Sequence, residues 1–198
     1  ADCENVRLGE RVLGDPINPV LGMIGERYNG GRAELCRVHH SQLVRIPDEV
    51  SYEHASAIPL AYATAHRMMC SRAKVGPDDT VLILGASGGV GTASVLLAKM
   101  AGATVVACAS SPEKLERLRK LGADHLVNYT TQDMRKEVWN LVGKPKISGI
   151  GGVDLVVNCT GGGTWVDSTR CMKVGARLVT CGATAGFEEQ IDIRYIWT

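Results

Sequence analysis

The segment Val81-Leu-Ile-Leu-Gly85-Ala-Ser-Gly88-Gly89-Val-Gly91 limits what this chain can fold into more than any other. Four apolar residues run into a glycine-rich turn. Thr92-Ala-Ser-Val-Leu-Leu-Ala-Lys-Met-Ala101 then continues as a helix. Strand, tight turn and helix in this order present backbone N–H groups and the positive end of a helix dipole to a pyrophosphate. Side chains in the turn would hold phosphates away from the backbone, which is why glycine is needed there. The spacing is Gly85-x-x-Gly88-x-x-Gly91. It departs from G-x-G-x-x-G because Ala86 stands where the first glycine of that pattern would be. A glycine-rich turn by itself is often only a turn, but here the flanking strand and helix supply the required context. The predicted phosphate contacts are Gly85, Ser87, Gly88, Gly89, Val90 and Gly91.

Beyond Gly76-Pro-Asp-Asp79 the strand and helix signals alternate regularly. Strands are predicted at 80–84, 104–108, 125–128, 153–157 and 176–180. Helices are predicted at 89–101, from Ser111 to Leu121, at 131–142 and at 164–173. Ser111-Pro112-Glu113 opens the second helix with an N-cap hydroxyl, a proline in the first turn and an acid beside it. Its apolar face is Leu115, Leu118 and Leu121, and Gly122 stops it. The glycine-, proline- and serine-containing run 143–152 reads as a loop. This rhythm predicts an α/β fold, a doubly wound parallel Rossmann sheet. The first 70 residues lack it. Short strands are expected at 9–13 and 32–38, an apolar stretch at 43–47, and a helix at 52–70 interrupted at Pro59. The division is therefore a β-rich part at 1–70 and a dinucleotide-binding domain at 71–198.

Charge excludes some partners. Twenty-two basic residues balance 21 acidic ones, for a net +1, and no basic run stands out. Nothing here calls for nucleic acid or an anionic membrane surface. The apolar runs are too short to cross a bilayer, and the visible start has no signal-peptide pattern. Seven cysteines, Cys3, Cys36, Cys70, Cys108, Cys159, Cys171 and Cys181, include no C-x-x-C. Cys108, Cys159 and Cys181 lie in apolar strand surroundings, where cysteine is usually a small core residue. Reduced thiols in a cytoplasmic protein are the expectation. His39-His40 could be a metal pair, but on a strand adjacent side chains point to opposite faces.

The chain resembles the medium-chain dehydrogenase/reductase family, which includes zinc alcohol dehydrogenases and zinc-independent quinone oxidoreductases. The matching landmarks are Arg7-Leu-Gly-Glu-Arg-Val12, Gly30-Gly-Arg-Ala-Glu34, Ile46-Pro-Asp48, the run from Ser51 to Ala65, the turn Gly85 to Gly91, Ser110-Ser-Pro-Glu-Lys-Leu115, Leu121-Gly-Ala-Asp124, Val153-Asp154 and the segment Gly175 to Gly182. The resemblance implies that 1–70 is part of a GroES-like catalytic domain. It also implies that the chain is an internal piece, without an N-terminal Cys and Gly-His-Glu stretch, without a sixth Rossmann strand, and with no cysteine lobe between Asp15 and Gly25. Such a piece is not expected to turn over by itself. The full-length enzyme is expected to be a homodimer or homotetramer acting on a small-molecule substrate.

Cofactor choice should be read at the end of the second strand, where an acid would bind both ribose hydroxyls and repel a 2′-phosphate. The sequence there is Cys108-Ala109-Ser110-Ser111, followed by Lys114. Hydroxyls and an ammonium suit a phosphate ester, so NADP(H) is favoured over NAD(H). Ser111 could equally serve only as the helix cap. Tyr129 matches a family tyrosine near the adenosine end, or is simply a half-buried strand residue.

Zinc catalysis needs three convergent ligands and an open position. By resemblance one ligand would stand in Pro59-Leu-Ala-Tyr-Ala-Thr64, where this chain has Leu60. Zinc is therefore not supported by the residues present, and no metal ligand is assigned. The resemblance implies that Thr64, Asn158, Cys159 and Thr160 lie near the nicotinamide, Thr64 and Asn158 being the candidate catalytic groups. Gly182 and Ala183 would meet the carboxamide through backbone groups. The function expected is NADP(H)-dependent hydride transfer to a quinone, enone or related carbonyl compound. Alternatives are a zinc alcohol dehydrogenase with ligands outside this chain, and a nucleotide-binding module without catalysis.

Overall fold

A computed structural model describes residues 6–188 and Arg194. Cys3 lies outside the described residues. The chain divides into two compact units, Ala1–Ala63 and Thr64–Thr198.

In the first unit, β1 (Val12–Gly14), β2 (Ile17–Asn18), β3 (Gly22–Met23) and β4 (Leu43–Arg45) form two small antiparallel pairs. β1 pairs with β4 in the register Val12↔Arg45, and β2 pairs with β3. The buried Gln42 ties this region together: its Nε2 donates to the Asp15 carbonyl at 2.7 Å and its Oε1 accepts from the Tyr28 hydroxyl at 3.0 Å. The strand expected at 32–38 does not form. Residues 31–37 are all exposed, so no apolar face pays for pairing there. His39 and His40 also depart from strand alternation. His39 caps a 3-10 turn at His40–Gln42, and the two rings stand 4.4 Å apart.

The helix expected over 52–70 is real but mixed. Ser51 Oγ caps α1 (Tyr52–Ala57) by accepting from the His54 N–H at 3.2 Å. A π-helical segment follows at Ile58–Tyr62, then α2 (Ala63–His66) and a second π-helical segment at Arg67–Ala73. Pro59 has no N–H to donate, so the ordinary ladder is broken where the helix widens.

The second unit is built on five parallel strands: β5 (Thr80–Leu84), β6 (Thr104–Ala109), β7 (His125–Asn128), β8 (Val153–Asn158) and β9 (Met172–Val179). Their order is β7-β6-β5-β8-β9. The connecting helices are α3 (Gly89–Met100), α4 (Pro112–Lys120), α5 (Met134–Val142) and α6 (Thr164–Thr169). This is the doubly wound Rossmann arrangement that the alternation predicts. Both sheet faces are buried, as parallel sheets require. Val81, Ile83, Val105, Ala107, Leu155 and Val157 face one core with Val95, Ala98 and Leu118. Leu82, Leu84, Val106, Cys108 and Val156 face the other with Val138 and Cys171. Each large aliphatic side chain buried this way contributes roughly 1.5–3 kcal/mol.

The larger boundary shifts have local causes. α5 starts at Met134 rather than 131 because Asp133 is its N-cap, accepting from the Arg135 and Lys136 N–H groups. α6 ends at Thr169 rather than 173, because Cys171 is buried and Met172 already begins β9. β9 accordingly starts before the predicted 176, and its pairing with β8 shifts register between Val153 and Leu155. Among the described residues no helix is long and apolar enough to cross a membrane.

Candidate functional site

β5 lies between β6 and β8, and its two neighbours are reached by connections over opposite faces of the sheet. The strand order therefore reverses at the carboxyl end of β5, which is where open α/β sheets hold ligands. The turn from Gly85 to Gly88 occupies that end.

Gly85 has φ 61°, a conformation that favours glycine. Its carbonyl accepts from the Gly88 N–H at 3.0 Å, closing the turn, and the Ala86 N–H donates to the Cys108 carbonyl at 3.1 Å. Gly88 is the N-cap of α3 and no side chain caps that helix end. The N–H groups of Gly89, Val90 and Gly91 thus have no helical carbonyl upstream to receive them. Gly85, Ser87, Gly88 and Gly89 are exposed, Val90 half-buried and Gly91 buried. The two later glycines do different work. A Cβ on Gly91 would stand 2.6 Å from Ala86 Cα, whereas one on Gly88 would only touch the Gly85 oxygen at 3.4 Å. Gly91 lets the helix sit on the turn, and Gly88 keeps the outer surface open. A pyrophosphate fits this cradle of free N–H groups and absent side chains.

At the end of β6, Ala109 is buried and Ser110 half-buried. Lys114 Nζ donates to Ser110 Oγ at 3.1 Å. Ser111 Oγ accepts from the Lys114 N–H at 3.4 Å, so Ser111 is a working helix cap. Tyr129, after β7, is half-exposed. Asn128 Oδ1 accepts from the Thr130 N–H beside it, and Gln132 Oε1 accepts from the Asn128 N–H.

Two clefts open at this edge. The larger, about 550 Å³, is lined by Gly85, Cys108, Tyr129, Arg135, Thr160, Thr164, Asp167 and Ala185, among others. The smaller, about 380 Å³, is lined by Gly161, Gly162, Trp165, Thr180, Gly182, Ala183, Gly186 and Phe187. Gly85, Tyr129, Thr160, Gly182 and Ala183 are thus brought to one edge. Thr64 lines neither cleft. The sequence reading did not single out Arg135, Asp167, Trp165 or Phe187. Arg135 Nε pairs with Asp167 Oδ1 at 3.2 Å across the larger cleft. The run Gly161-Gly162-Gly163 after β8 was the available signal. Gly161 and Gly162 have φ 70° and 55°, and a Cβ on Gly161 would stand 2.8 Å from the Ala183 Cβ.

Asn158 ends β8. Its side chain is fully buried. Oδ1 accepts from the Thr160 and Gly161 N–H groups, each at 3.0 Å. Nδ2 donates to Thr164 Oγ1 at 3.1 Å and Ser168 Oγ at 2.9 Å. Its donors and acceptor are thus engaged inside the fold. It shapes the loop that presents Thr160 and Gly161.

The cysteines also separate. Cys108 and Cys171 are buried, and burial pushes each thiol up to about 12. Cys159 is half-buried and Cys181 exposed, so neither is the core residue expected. Their Sγ atoms lie 3.2 Å apart. Loss of hydration at the sulfur, then the hydrogen bond and charge of Cys159, push the Cys181 thiol up to about 12. Among the described residues no group of three or more His, Cys, Asp or Glu side chains could hold a metal ion, and Leu60 is exposed within the first π-helical segment.

A family model described as zinc-binding dehydrogenase matches residues 89–198. Crotonyl-CoA reductase of Streptomyces avermitilis is 33% identical over 198 residues, covering 92% of this chain and 44% of that protein. Quinone oxidoreductase-like protein 2 of Bos taurus is 33% identical over 186 residues, covering 93% of this chain and 48% of its own length. A solved NAD-dependent alcohol dehydrogenase superposes with a TM-score of 0.85 at 33% identity, covering 96% of this chain and 58% of that one. The 2-octenoyl-CoA carboxylase reductase CinF, in complex with NADP and 2-octenoyl-CoA, gives 0.72 at 32% identity, covering 81% and 39%. The chain therefore spans less than half the length of the curated relatives it matches here.

Proposed function

We propose a function from one premise: the chain belongs to the zinc-binding dehydrogenase family of medium-chain dehydrogenases/reductases. It is part of an NADP(H)-dependent reductase that delivers hydride to an electron-poor double bond conjugated to a carbonyl, in an enone, an enoyl thioester or a quinone. Residues 71–198 are its dinucleotide-binding domain and 1–70 part of its GroES-like domain. The observation that carries the reading is the uncapped start of α3 beside a Lys114–Ser110 pair, with no carboxylate at the end of β6.

When bound, the nicotinamide supplies the hydride. The N–H groups of Gly89, Val90 and Gly91 hold the pyrophosphate, with Gly85, Ser87 and Gly88 keeping the approach open. Ser110 and Lys114 grip the 2′-phosphate, which needs two donors and a positive charge rather than an acid. Ser111 holds the α4 end in place, and Tyr129 borders the adenosine. Cys159 and Thr160 border the nicotinamide ribose, and Gly182 and Ala183 offer backbone groups to the carboxamide. Asn158 is a positioning residue for that loop. Thr64 stays a candidate for the substrate side. Orientation of two reacting carbons supplies most of the catalysis in such chemistry. CinF was solved with NADP and an enoyl thioester, and crotonyl-CoA reductase names a related substrate, which supports this choice.

The second reading is an alcohol dehydrogenase, favoured by the family description and by the NAD-dependent structural relative. Among the described residues no ligand set fits zinc, so no step is drawn through it. The free thiols fit a cytoplasmic setting, and the resemblance supports a homodimer or homotetramer. Calorimetric titration with NADPH and NADH, turnover of enoyl thioesters, quinones and alcohols, and metal analysis of the whole protein test the proposal. Selective use of NADH with alcohols and stoichiometric zinc would replace it with the second reading.

A further inference from the structure

We propose that Cys159 and Cys181 form a redox-responsive dithiol whose oxidation to a disulfide locks the ends of β8 and β9 and weakens nucleotide binding. β8 and β9 are parallel neighbours with Val157 paired to Val179. Two residues further along each strand path stand Cys159 and Cys181. Both lie just past the strand ends, Cys159 one residue beyond Asn158 and Cys181 two beyond Val179, and their side chains meet there. Adjacent strands lie roughly 4.8 Å apart, inside the Cα separation of about 4.4–6.8 Å that a disulfide spans. The sulfurs already stand 3.2 Å apart. Closing to the bond length of about 2.05 Å needs a displacement of roughly 1 Å, shared between side-chain rotation and the loops that follow the two thiols.

Access and selectivity agree with this. Cys181 is exposed and Cys159 half-buried, whereas Cys108 and Cys171 are buried in the core. Cys36 is exposed, but its Sγ lies 3.6 Å from the Gly30 carbonyl rather than beside another thiol. The position is also mechanically connected. The Ala185 N–H donates to the Thr160 carbonyl at 2.7 Å, and the Gly162 N–H to the Gly186 carbonyl at 2.8 Å. The loops after β8 and β9 are thus joined directly beyond the two thiols, and both clefts draw residues from these loops.

The oxidant is a low-molecular-weight disulfide. Cys159 attacks it as the thiolate, Cys181 being the thiol held protonated, and forms a mixed disulfide with release of one small thiol. The second protein thiolate attacks the protein sulfur of that mixed disulfide and releases the other small thiol. Two electrons leave the protein sulfurs, the small disulfide is reduced, and the two protons end on the two small thiols. Coupling to the nucleotide rests on the site reading above.

The test uses the full chain treated with oxidised glutathione, followed by peptide mapping without reductant. The expected product is a Cys159–Cys181 linked peptide that dithiothreitol separates. Cys181→Ser should instead leave glutathione on Cys159. Persistent glutathione on both residues, or unmodified thiols there while Cys36 and Cys70 are modified, overturns the dithiol. Thermal melting of this variant in the reduced state checks that it folds, and mapping of the unmutated chain stands if it does not. Oxidation should weaken NADPH binding roughly tenfold, about 1.4 kcal/mol. Equal affinity of reduced and cross-linked protein overturns the coupling. No NADPH binding by the reduced protein overturns the nucleotide reading itself, and the coupling with it.

Discussion

Lys114 Nζ and Ser110 Oγ are joined at 3.1 Å across the end of β6 and the first turn of α4. The ammonium is therefore held beside a hydroxyl at the strand end where an acid would select the unphosphorylated ribose. Lys114→Ala should weaken NADPH binding by one to two orders of magnitude, roughly 1.5–3 kcal/mol for a lost charged hydrogen bond, and leave NADH nearly unchanged. Titrating both cofactors checks this. Equal losses for the two would mean that Lys114 does not read the 2′-phosphate. Ala109→Asp would not isolate the ribose contact. Ala109 is 1% exposed, so the new carboxylate would cost stability as well as repel phosphate.

Gly88 and Gly91 should respond to alanine in opposite ways. Gly91→Ala forces a Cβ against Ala86 and the Gly85 carbonyl, and should lower stability by roughly 1–3 kcal/mol as an overpacked site does. Gly88→Ala meets only ordinary contact and has φ −78°. It should fold normally and lose nucleotide affinity. Urea unfolding and calorimetry on both variants separate these outcomes. A Gly88→Ala protein with full affinity would remove this turn from the phosphate site.

The sheet was legible because its signals are local. Four apolar residues, a glycine turn and Ser111-Pro112 each announce themselves within a few positions, and β5, β7 and the cap of α4 fall where predicted. The strand expected at 32–38 does not form because residues 31–37 are all exposed, and a short run with charges at Arg32, Glu34 and Arg37 has no face to bury. The boundaries of α5 and α6 turned on which acid or buried cysteine won a position, a tertiary matter. The burial of Asn158 is likewise tertiary: no spacing reveals that Ser168 and Thr164 will accept from its amide. The Cys159–Cys181 contact needed the β8–β9 pairing, which no single segment encodes.

Arg177 anchors β9 to the turn ahead of β5. Its guanidinium donates to Asp79 Oδ1, to the Ala73 carbonyl and to the Lys74 carbonyl, beside the left-handed Lys74 at φ 52°. Asp79 also accepts from the Gly76 N–H at 2.8 Å. Arg177→Met keeps most of the apolar stem and removes the three guanidinium bonds. It should destabilise the protein by roughly 1–3 kcal/mol, and Arg177→Lys should restore only part of that because an ammonium cannot fork to several acceptors. Equilibrium urea unfolding measures both. Identical stability of the Met variant would show the anchor to be idle.

Asp124 gives the fold an acid-sensitive contact. Burial alone would raise its pKa, but the carboxylate accepts from Lys99 Nζ at 2.8 Å and from the Val105 N–H at 2.7 Å, and the net shift is downward. The folded value therefore lies below the unfolded one of about 3.9. As pH falls, the unfolded chain takes up this proton first, so the contribution is complete above about 3.9 and is lost as pH drops through the folded value. The side chain is 37% exposed, so solvent screening holds the effect to about 1 kcal/mol or less. Asp124→Asn should be less stable than the parent at pH 7, with the gap closing as pH is lowered toward 3. Urea midpoints measured between those values test the sign. A gap that stays constant would assign the loss to packing around Val105 rather than to the charge.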